Sequence, residues 1–429
     1  MKRQGYRFWL APIVAITLVV NGVSPALAAG ALTLNDAVSA AVNNNPAVIE
    51  SQKRWEEKKA GVPIASTLPN PKIGIMKDEI PTGTLGPGQG MMTEYTLSQE
   101  FMFPGKLGLM GKMAANDAAM SEGGYREKQL QVYVDAKTSY YDLLYAGKAL
   151  EIGKENQLLM GQLAKVAQVN YSTGMVPLQD TLRAQTEYSK MTTDLISMAG
   201  MEAVAKAKLN VIMGRPADAE LTVGEEFNAP PPNFELAGLQ STAVSAKPSL
   251  AGMQSQVAMA ENGVELAKKQ SLPDFELRLG YKAPRDLEMS RKTWKVELMA
   301  MVPLWQGKNK AQVDGAKANL EASQAALTGM RNMVGLDVQM ALTEAQTAWS
   351  QIDLYKNTIV PQAEQSYQAA VISYTNGKAD FMAVLDAITT LRTAKLGYYK
   401  ARIDYEKAAA SIEKAVGKPL FGSIGQTGK

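Results

Sequence analysis

The sequence predicts a mainly α-helical protein built from two copies of one unit, each of which carries a β-hairpin. The first observation is a repeat: Tyr171-Ser172-Thr173-Gly174 returns as Tyr374-Thr375-Asn376-Gly377, and Met213-Gly214-Arg215-Pro216 returns as Val416-Gly417-Lys418-Pro419. An offset of about 203 positions indicates one duplicated unit, because solenoid repeats run only about 20 to 50 residues. The other two observations are a strand-like alternating segment and a helical segment of about 60 residues, each present in both copies.

Both copies have the same order of elements: an opening helix, a β-hairpin, a long helix, a glycine turn and a return helix. Gly174 and Gly377 are expected to end the long helices, and Pro361 is expected to kink the second one. A helix of about 60 residues spans roughly 90 Å, which no single globular core accommodates. The predicted boundaries are 29–216 for the first copy (helix 34–60, hairpin 71–103, long helix 109–170, return helix 178–213), 217–237 for a linker, and 238–429 for the second copy (helix 238–269, hairpin 274–303, long helix 309–374, return helix 381–416, short tail).

Each hairpin alternates apolar and polar residues along strands of about ten residues. In the second copy Phe275, Leu277 and Leu279 fall on one face, while Glu276 and Arg278 fall on the other. Ten residues is the length of a transmembrane β-strand, but a soluble antiparallel sheet with one wet face gives the same alternation. Four strands cannot close a membrane barrel, so the membrane interpretation demands an oligomer.

The amino terminus has the pattern of a secretory signal peptide over residues 1–28. Lys2, Arg3 and Arg7 precede an apolar run at 8–20, and Ala26-Leu27-Ala28 supplies the small residues of a cleavage site. Removing this segment takes away three of the 45 basic residues, so the mature chain is formally neutral against its 42 acidic residues. We therefore expect no binding to nucleic acid. No later apolar run is long enough for a transmembrane helix.

The chain contains no cysteine and no histidine, which limits its chemistry. It lacks the thiolate and imidazole ligands that transition metals favour, the commonest general base and the usual covalent triads. We expect no enzyme activity, no cofactor and no resident metal, although a hydrolase that uses two carboxylates stays formally open. The 23 methionines could bind Cu(I) through their thioethers, but adaptable packing is the preferred interpretation.

The whole mature chain resembles the TolC family of outer-membrane efflux channels. Leu68-Pro69-Asn70-Pro71, Leu97-Ser98-Gln99 and Phe103-Pro104-Gly105-Lys106 look like the heavy-metal efflux branch, the CzcC-like channels. The resemblance implies a homotrimer whose strands form a 12-stranded β-barrel in the outer-membrane lipid of a Gram-negative bacterium, with an α-helical barrel in the periplasm. It also implies a passive exit duct for a tripartite pump, with a periplasmic adaptor and an inner-membrane transporter of the resistance-nodulation-division (RND) type.

The resemblance places the entrance of the duct at the two helix tips. By position, Asp386 matches an aspartate that lines the aperture, Asp180 a tip carboxylate and Tyr374 a tyrosine of the closed state, whereas Ala379 departs from a basic residue that neighbouring Lys378 could replace. Three copies of an aspartate around a narrow entrance select cations. Alternatively, Asp180 and Asp386 only cap the return helices. The residues expected to contact the adaptor are Gly174, Met175, Gly377 and Lys378.

Two alternative functions stay open from the sequence. A soluble periplasmic adaptor or scaffold also contains long helical hairpins, although two membrane-length β-hairpins do not suit it. A TolC-like duct could also serve drugs or type I protein secretion instead of heavy-metal ions. A water-filled duct need not carry ligand-specific residues, so the sequence does not name the cargo.

Overall fold

A computed structural model describes residues 31–78, 92–227, 229–284 and 291–420. The predicted signal peptide, the loop between the two strands of the first β-hairpin and the last nine residues lie outside these ranges. The helices are Leu34–Asn44 (α1), Pro46–Ala65 (α2), Lys106–Ser172 (α3), Leu178–Ile212 (α4), Leu236–Ala246 (α5), Pro248–Lys269 (α6), Gln306–Leu354 (α7), Val360–Thr375 (α8) and Phe381–Val416 (α9). The strands are Lys72–Asp78 (β1), Met92–Phe101 (β2), Asp274–Pro284 (β3) and Thr293–Met301 (β4).

Helix α3 packs along its length against α2, α4, α6 and α9. The amino-terminal part of α3 packs against α2 and α6, and its carboxy-terminal part packs against α4 and α9. Helix α7 continues the row beside α6 and α9, and α8 follows beside α9. None of the helices in the described ranges is both long enough and apolar enough to cross a membrane.

Each return helix ends against the opening helix of its own copy. Gly214 and Gly417 adopt positive φ angles of 72° and 89° at these joints. A Cβ atom on Gly214 would lie 2.7 Å from a backbone oxygen, so only glycine allows the close approach. Asn45 donates a side-chain hydrogen bond of 2.9 Å to the Ile212 carbonyl, and Lys247 donates one of 2.6 Å to a carbonyl at the second joint.

The opening helices differ from the single stretches expected at 34–60 and 238–269. Each is divided into two helices, at Asn45 and at Lys247, and each break is followed by proline at the first helical position. A proline disfavours the helical conformation of the residue before it, and both residues are extended, with ψ angles of 124° and 117°. The expectation of one unbroken opening helix was therefore wrong in both copies.

The second long helix is also not continuous over 309–374. A π-helical turn at Tyr355–Ile359 separates α7 from α8, and Pro361 follows two residues later. Proline lacks the N–H group that an α-helix needs and crowds the preceding turn, so the helix departs from α geometry beside it. The π-helical turn lies beside Pro361, where a kink was predicted, whereas α3 runs uninterrupted for 67 residues in the first copy.

The four strands form one antiparallel sheet in the order β1-β2-β3-β4. Directly opposed residues share a face, and the register aligns the apolar residues of all four strands. One face carries Ile73, Ile75, Tyr95, Leu97, Phe101, Phe275, Leu277, Leu279, Tyr281, Trp294, Val296 and Leu298. The opposite face carries ion pairs between neighbouring strands, including Lys72–Glu100 at 2.6 Å and Arg278–Glu297 at 3.7 Å.

Candidate functional site

The chain contains two helical hairpins, the first formed by α3 and α4 and the second by α7, α8 and α9. Both end in turns of similar construction. Gly174 and Gly377 adopt φ angles of 74° and 66° and end the descending helices. The return helices then start differently: α4 follows Pro177, which makes no side-chain cap, whereas Asp380 caps α9 by accepting a 3.3 Å hydrogen bond from a backbone N–H. The sequence prediction missed Asp380, although a carboxylate directly before a helical run is a recognised start signal.

An apolar cluster joins the two hairpins just above these turns, and we call it the tip cluster. Its centre is Tyr374, which is only 1% exposed and meets the Phe381 ring edge-on at 5.7 Å. This contact ties α8 to α9, while the remaining members come from α3, α4 and α9. The tip cluster consists of Met160, Leu163, Ala167, Ala184, Met191, Tyr374, Phe381, Val384 and Ile388.

The predicted residues Tyr374 and Asp180 lie together, and the structure adds Asp380 to them. The phenol oxygen of Tyr374 is buried and has no hydrogen-bond partner among the described residues. Burial, followed by the charges of Asp180 and Asp380, raises the pKa of Tyr374 to about 12. Burial and the like charge of Asp380 also raise the pKa of Asp180, while Arg183 opposes the shift. The phenol therefore stays neutral beside two carboxyl groups.

Asp386 lies apart from this group, on the exposed face of α9. It shares that face with Thr389 and Thr393, three and seven residues further on, and both are exposed. Further along α9, the other side of the helix faces the linker. The Arg402 guanidinium lies 4.2 Å from the centre of the Phe227 ring, and Glu406 accepts a hydrogen bond from the Ala229 N–H. Asp386 is the sixth residue of α9 and does not cap it.

The remaining predicted tip residues are at the surface. Met175 is 66% exposed, and Lys378 is exposed and forms no ion pair with any residue in the described ranges. Within the described part of one chain, Lys378 therefore makes no ion pair that would hold the two tips together, and its proposed replacement of the basic residue at Ala379 stays a prediction. Asp180 stands in the first turn of α4, where a carboxylate is favourable, but it makes no cap hydrogen bond.

A row of ion pairs joins α9 to the first helical hairpin, formed by α3 and α4. Arg392 pairs with Asp194 of α4 at 3.1 Å, Lys395 pairs with Glu155 of α3 at 2.8 Å, and a lysine further along α9 pairs with α3 as well. No cluster of three or more acidic residues suited to a metal ion occurs among the residues described. The described tips thus combine charged side chains with an apolar packing cluster.

Comparisons with known proteins agree on one family. The family model described as outer membrane efflux protein matches residues 239–418. The cobalt-zinc-cadmium resistance protein CzcC of Cupriavidus metallidurans is 21% identical over 425 residues, which cover 96% of this chain and 97% of that protein. Outer membrane protein TolC of Escherichia coli is 24% identical over 70% of this chain and 64% of its own length. The crystal structure of CusC superposes with a TM-score of 0.79 at 18% identity, over 90% of this chain and 92% of CusC.

Proposed function

We propose that this chain, which belongs to the outer membrane efflux protein family, is the outer-membrane duct of an efflux pump and works as a homotrimer. The sheet spans the outer membrane of a Gram-negative bacterium, and the helices extend through the periplasm. The chain itself is a passive passage rather than an enzyme.

The exposed apolar face of the sheet carries this proposal. Ile73 is 82% exposed, Trp294 is 77% exposed and Leu298 is 71% exposed, and all three lie on the same face. A contiguous apolar face of this size is unfavourable in water, whereas membrane lipid covers it. The opposite face, with its ion pairs, suits a water-filled interior. A soluble adaptor gives no reason for this arrangement.

The trimer follows from edges that one chain leaves open. Strands β1 and β4 have no outer partner among the described residues, and three copies of four strands give the twelve needed to close a barrel. The helical columns at the two edges also carry exposed apolar residues. On α4 these are Leu178, Leu182, Ile196, Val204 and Val211, and on α7 they are Met333, Leu336 and Met340.

The tips are the proposed entrance and docking end. Asp386 lines the aperture in three copies, and contacts of Asp180 and Tyr374 between the hairpins favour the closed state. Gly174, Met175, Gly377 and Lys378 contact a periplasmic adaptor, which links the duct to an inner-membrane transporter of the RND type.

We further propose that the cargo is heavy-metal ions. The support is the match to CzcC, which covers nearly the full length of both proteins. Drug export and type I protein secretion are the alternatives. Deleting the gene tests the cargo: sensitivity confined to cobalt, zinc and cadmium supports metal efflux, and sensitivity confined to organic toxins contradicts it.

Single-channel recording in planar lipid bilayers tests the duct. We expect conducting pores whose preference for cations falls in Asp386→Asn, because three negative charges leave the entrance. Asp218→Asn, in the exposed linker, is the matched control and should keep the preference. Absence of pores contradicts the duct, and equal cation preference in both variants contradicts the aperture role of Asp386.

A further inference from the structure

A buried lysine joins the two copies of the repeated unit where the sheet meets the helices. Lys106, at the start of α3 in the first copy, donates hydrogen bonds of 2.9 Å to both carboxylate oxygens of Asp274 and to the Leu272 carbonyl, which belong to the second copy. Asp274 also accepts a 2.6 Å hydrogen bond from the Phe103 N–H. The Lys106 side chain is only 6% exposed. This contact, which we call the inter-copy clamp, holds the start of β3 beside the turn that follows β2.

The repeat supplies the same groups a second time, at the two open edges of the chain. Lys308 stands in the motif that matches the one around Lys106, and Asn70 stands in the motif that matches the one around Asp274. Lys308 follows the edge strand β4, whereas Asn70 precedes the edge strand β1. Two strands separate these edges, a distance of roughly 14 Å across the sheet. Lys308 and Asn70 of one chain therefore cannot form a second clamp with each other.

Both residues are exposed, as are the apolar side chains around them. Lys308 forms no ion pair, and the Asn70 side chain no hydrogen bond, with any residue that the structure describes. Their apolar neighbours include Ile64 on one edge, which is 76% exposed, and Trp305 on the other, which is 77% exposed. The counterpart Lys106 is buried by the other copy. What covers the groups of the inter-copy clamp is thus missing at both edges of a single chain.

We propose that Lys308 of one copy of this chain donates hydrogen bonds to the Asn70 side-chain oxygen and the Leu68 carbonyl of a second copy. The inference rests on the proposed homotrimer and identifies a contact that closes it. Leu68 matches Leu272 in the repeat, so it supplies the carbonyl of the clamp. The contact is head to tail, with the β4 edge of one chain against the β1 edge of the next, and such contacts close a ring when repeated.

The contact between chains differs in charge from the inter-copy clamp. Asp274 is a carboxylate, whereas Asn70 carries a neutral amide whose oxygen accepts a hydrogen bond from lysine. The contact between chains therefore lacks the attraction of opposite charges that the clamp has. Asn70→Asp supplies that attraction, so this single substitution should tighten the ring.

Cross-linking of the full chain in detergent tests the contact directly, because the chain contains no cysteine. Asn70→Cys combined with Lys308→Cys places two thiols at the proposed contact, and both positions are exposed, so the fold should be kept. A short bifunctional maleimide should then give products of two and three chains on a denaturing gel.

The matched control combines Asp218→Cys with Lys308→Cys and should give single chains only. Asp218 is exposed and follows α4, whose end packs beside Leu130 and later residues of α3. That level lies roughly 35 Å along the helix from the start of α3, and the start of α7 is the equivalent place in the second copy.

The charge of the contact gives an independent test. Asn70→Asp should raise the temperature at which the trimer dissociates in SDS, and Lys308→Ala should lower it. Asn233→Asp makes the same change at an exposed position of the linker and should leave that temperature unchanged. Equal temperatures for Asn70→Asp and the wild-type protein contradict the proposed pairing of position 70 with Lys308.

The outcomes separate the contact from the duct. Trimers by light scattering that the maleimide does not link through positions 70 and 308 contradict the contact alone, and so does equal linking in the Asp218→Cys control. Linked trimers that form no pores in lipid bilayers contradict the duct alone. A chain that stays monomeric in detergent contradicts the homotrimer and the contact together.

Discussion

Helices α4 and α9 occupy equivalent places in the two copies, yet their surroundings differ. They have 35 and 36 residues, and each returns from a tip to the joint with an opening helix. Only six residues of α4 are buried, against 17 of α9. Helix α9 lies between α3 and the α7–α8 column, whereas α4 packs mainly against α3. Within a single chain, α9 is therefore covered by neighbouring helices, whereas one side of α4 is exposed. We call this exposed side of α4 the open side.

The open side of α4 has the character of an interface. Its exposed apolar residues recur at helical spacing, and Gly200 lies among them, where an added Cβ atom would have no other atom within 4 Å. On α9 the one large apolar residue that is strongly exposed is Met382, at 42%. Neighbouring copies in a trimer would give α4 the cover that α9 already has.

The largest expected effect concerns the buried anchor of α9. Lys137 of α3 pairs with Glu413 at 2.6 Å, and Glu413 is fully buried. Lys137→Ala takes away the cation of a buried carboxylate, so we expect a loss of about 3–5 kcal/mol in the free energy of unfolding. Denaturant titration measures it. The control is Lys407→Ala, at the more exposed pair with Asp142, where about 1 kcal/mol or less is expected. Equal losses would show that burial does not distinguish the two pairs.

A smaller effect is expected where α9 meets the π-helical turn. A Cβ on Gly397 would lie 2.6 Å from the Tyr355 ring, so the ring sits directly on the glycine. Gly397→Ala forces the ring away and should cost about 1–3 kcal/mol in unfolding free energy. Gly200→Ala on the open side meets nothing within the chain, and alanine favours a helix over glycine by about 1 kcal/mol. Gly200→Ala should therefore be neutral or stabilising. Thermal unfolding of the two variants compares the sites. A destabilised Gly200→Ala together with a neutral Gly397→Ala would contradict the assignment of α4 to the open side and α9 to the covered side.

The smallest expected effect is the pH dependence of the tips. The pKa of Asp180 is raised above the ordinary 3.8 by burial and by Asp380, with Arg183 opposing. Its contribution to tip packing is therefore fully present below pH 3.8 and is lost as the pH rises through the raised value. Hydrogen exchange of the α4 amino terminus, corrected for intrinsic rates and measured in chelator, should slow on acidification. Asp180→Asn should remove this dependence and Asp386→Asn should keep it; the opposite pattern would exclude Asp180 as the titrating group.

Sequence reasoning succeeded where local chemistry decides the structure. The alternation around Phe275 and Leu277 predicted which residues share a face of the sheet, and Gly174 and Gly377 marked the left-handed turns. It failed where a single residue competes with a long helical pattern. Pro46 divides the opening helix, since a proline disfavours the helical conformation of the residue before it. The break was missed because the pattern of apolar residues continues across it.

The candidate site was only partly predictable for a different reason. Tyr374 and Asp180 were identified through resemblance, but their approach to Asp380 depends on how α4 and α8 meet in space. That contact joins residues about 200 positions apart and leaves no local pattern in the sequence. The burial of the phenol oxygen is likewise a property of the assembled tip cluster.

The mass of the purified chain in detergent tests the central claim most directly. We predict that the wild-type particle contains three chains by light scattering, and that it needs detergent to stay in solution. Replacing Leu182 and Ile196, both exposed on the open side of α4, with glutamate should shift the particle towards single chains. A wild-type chain that is monomeric and remains soluble without detergent would contradict the trimeric duct.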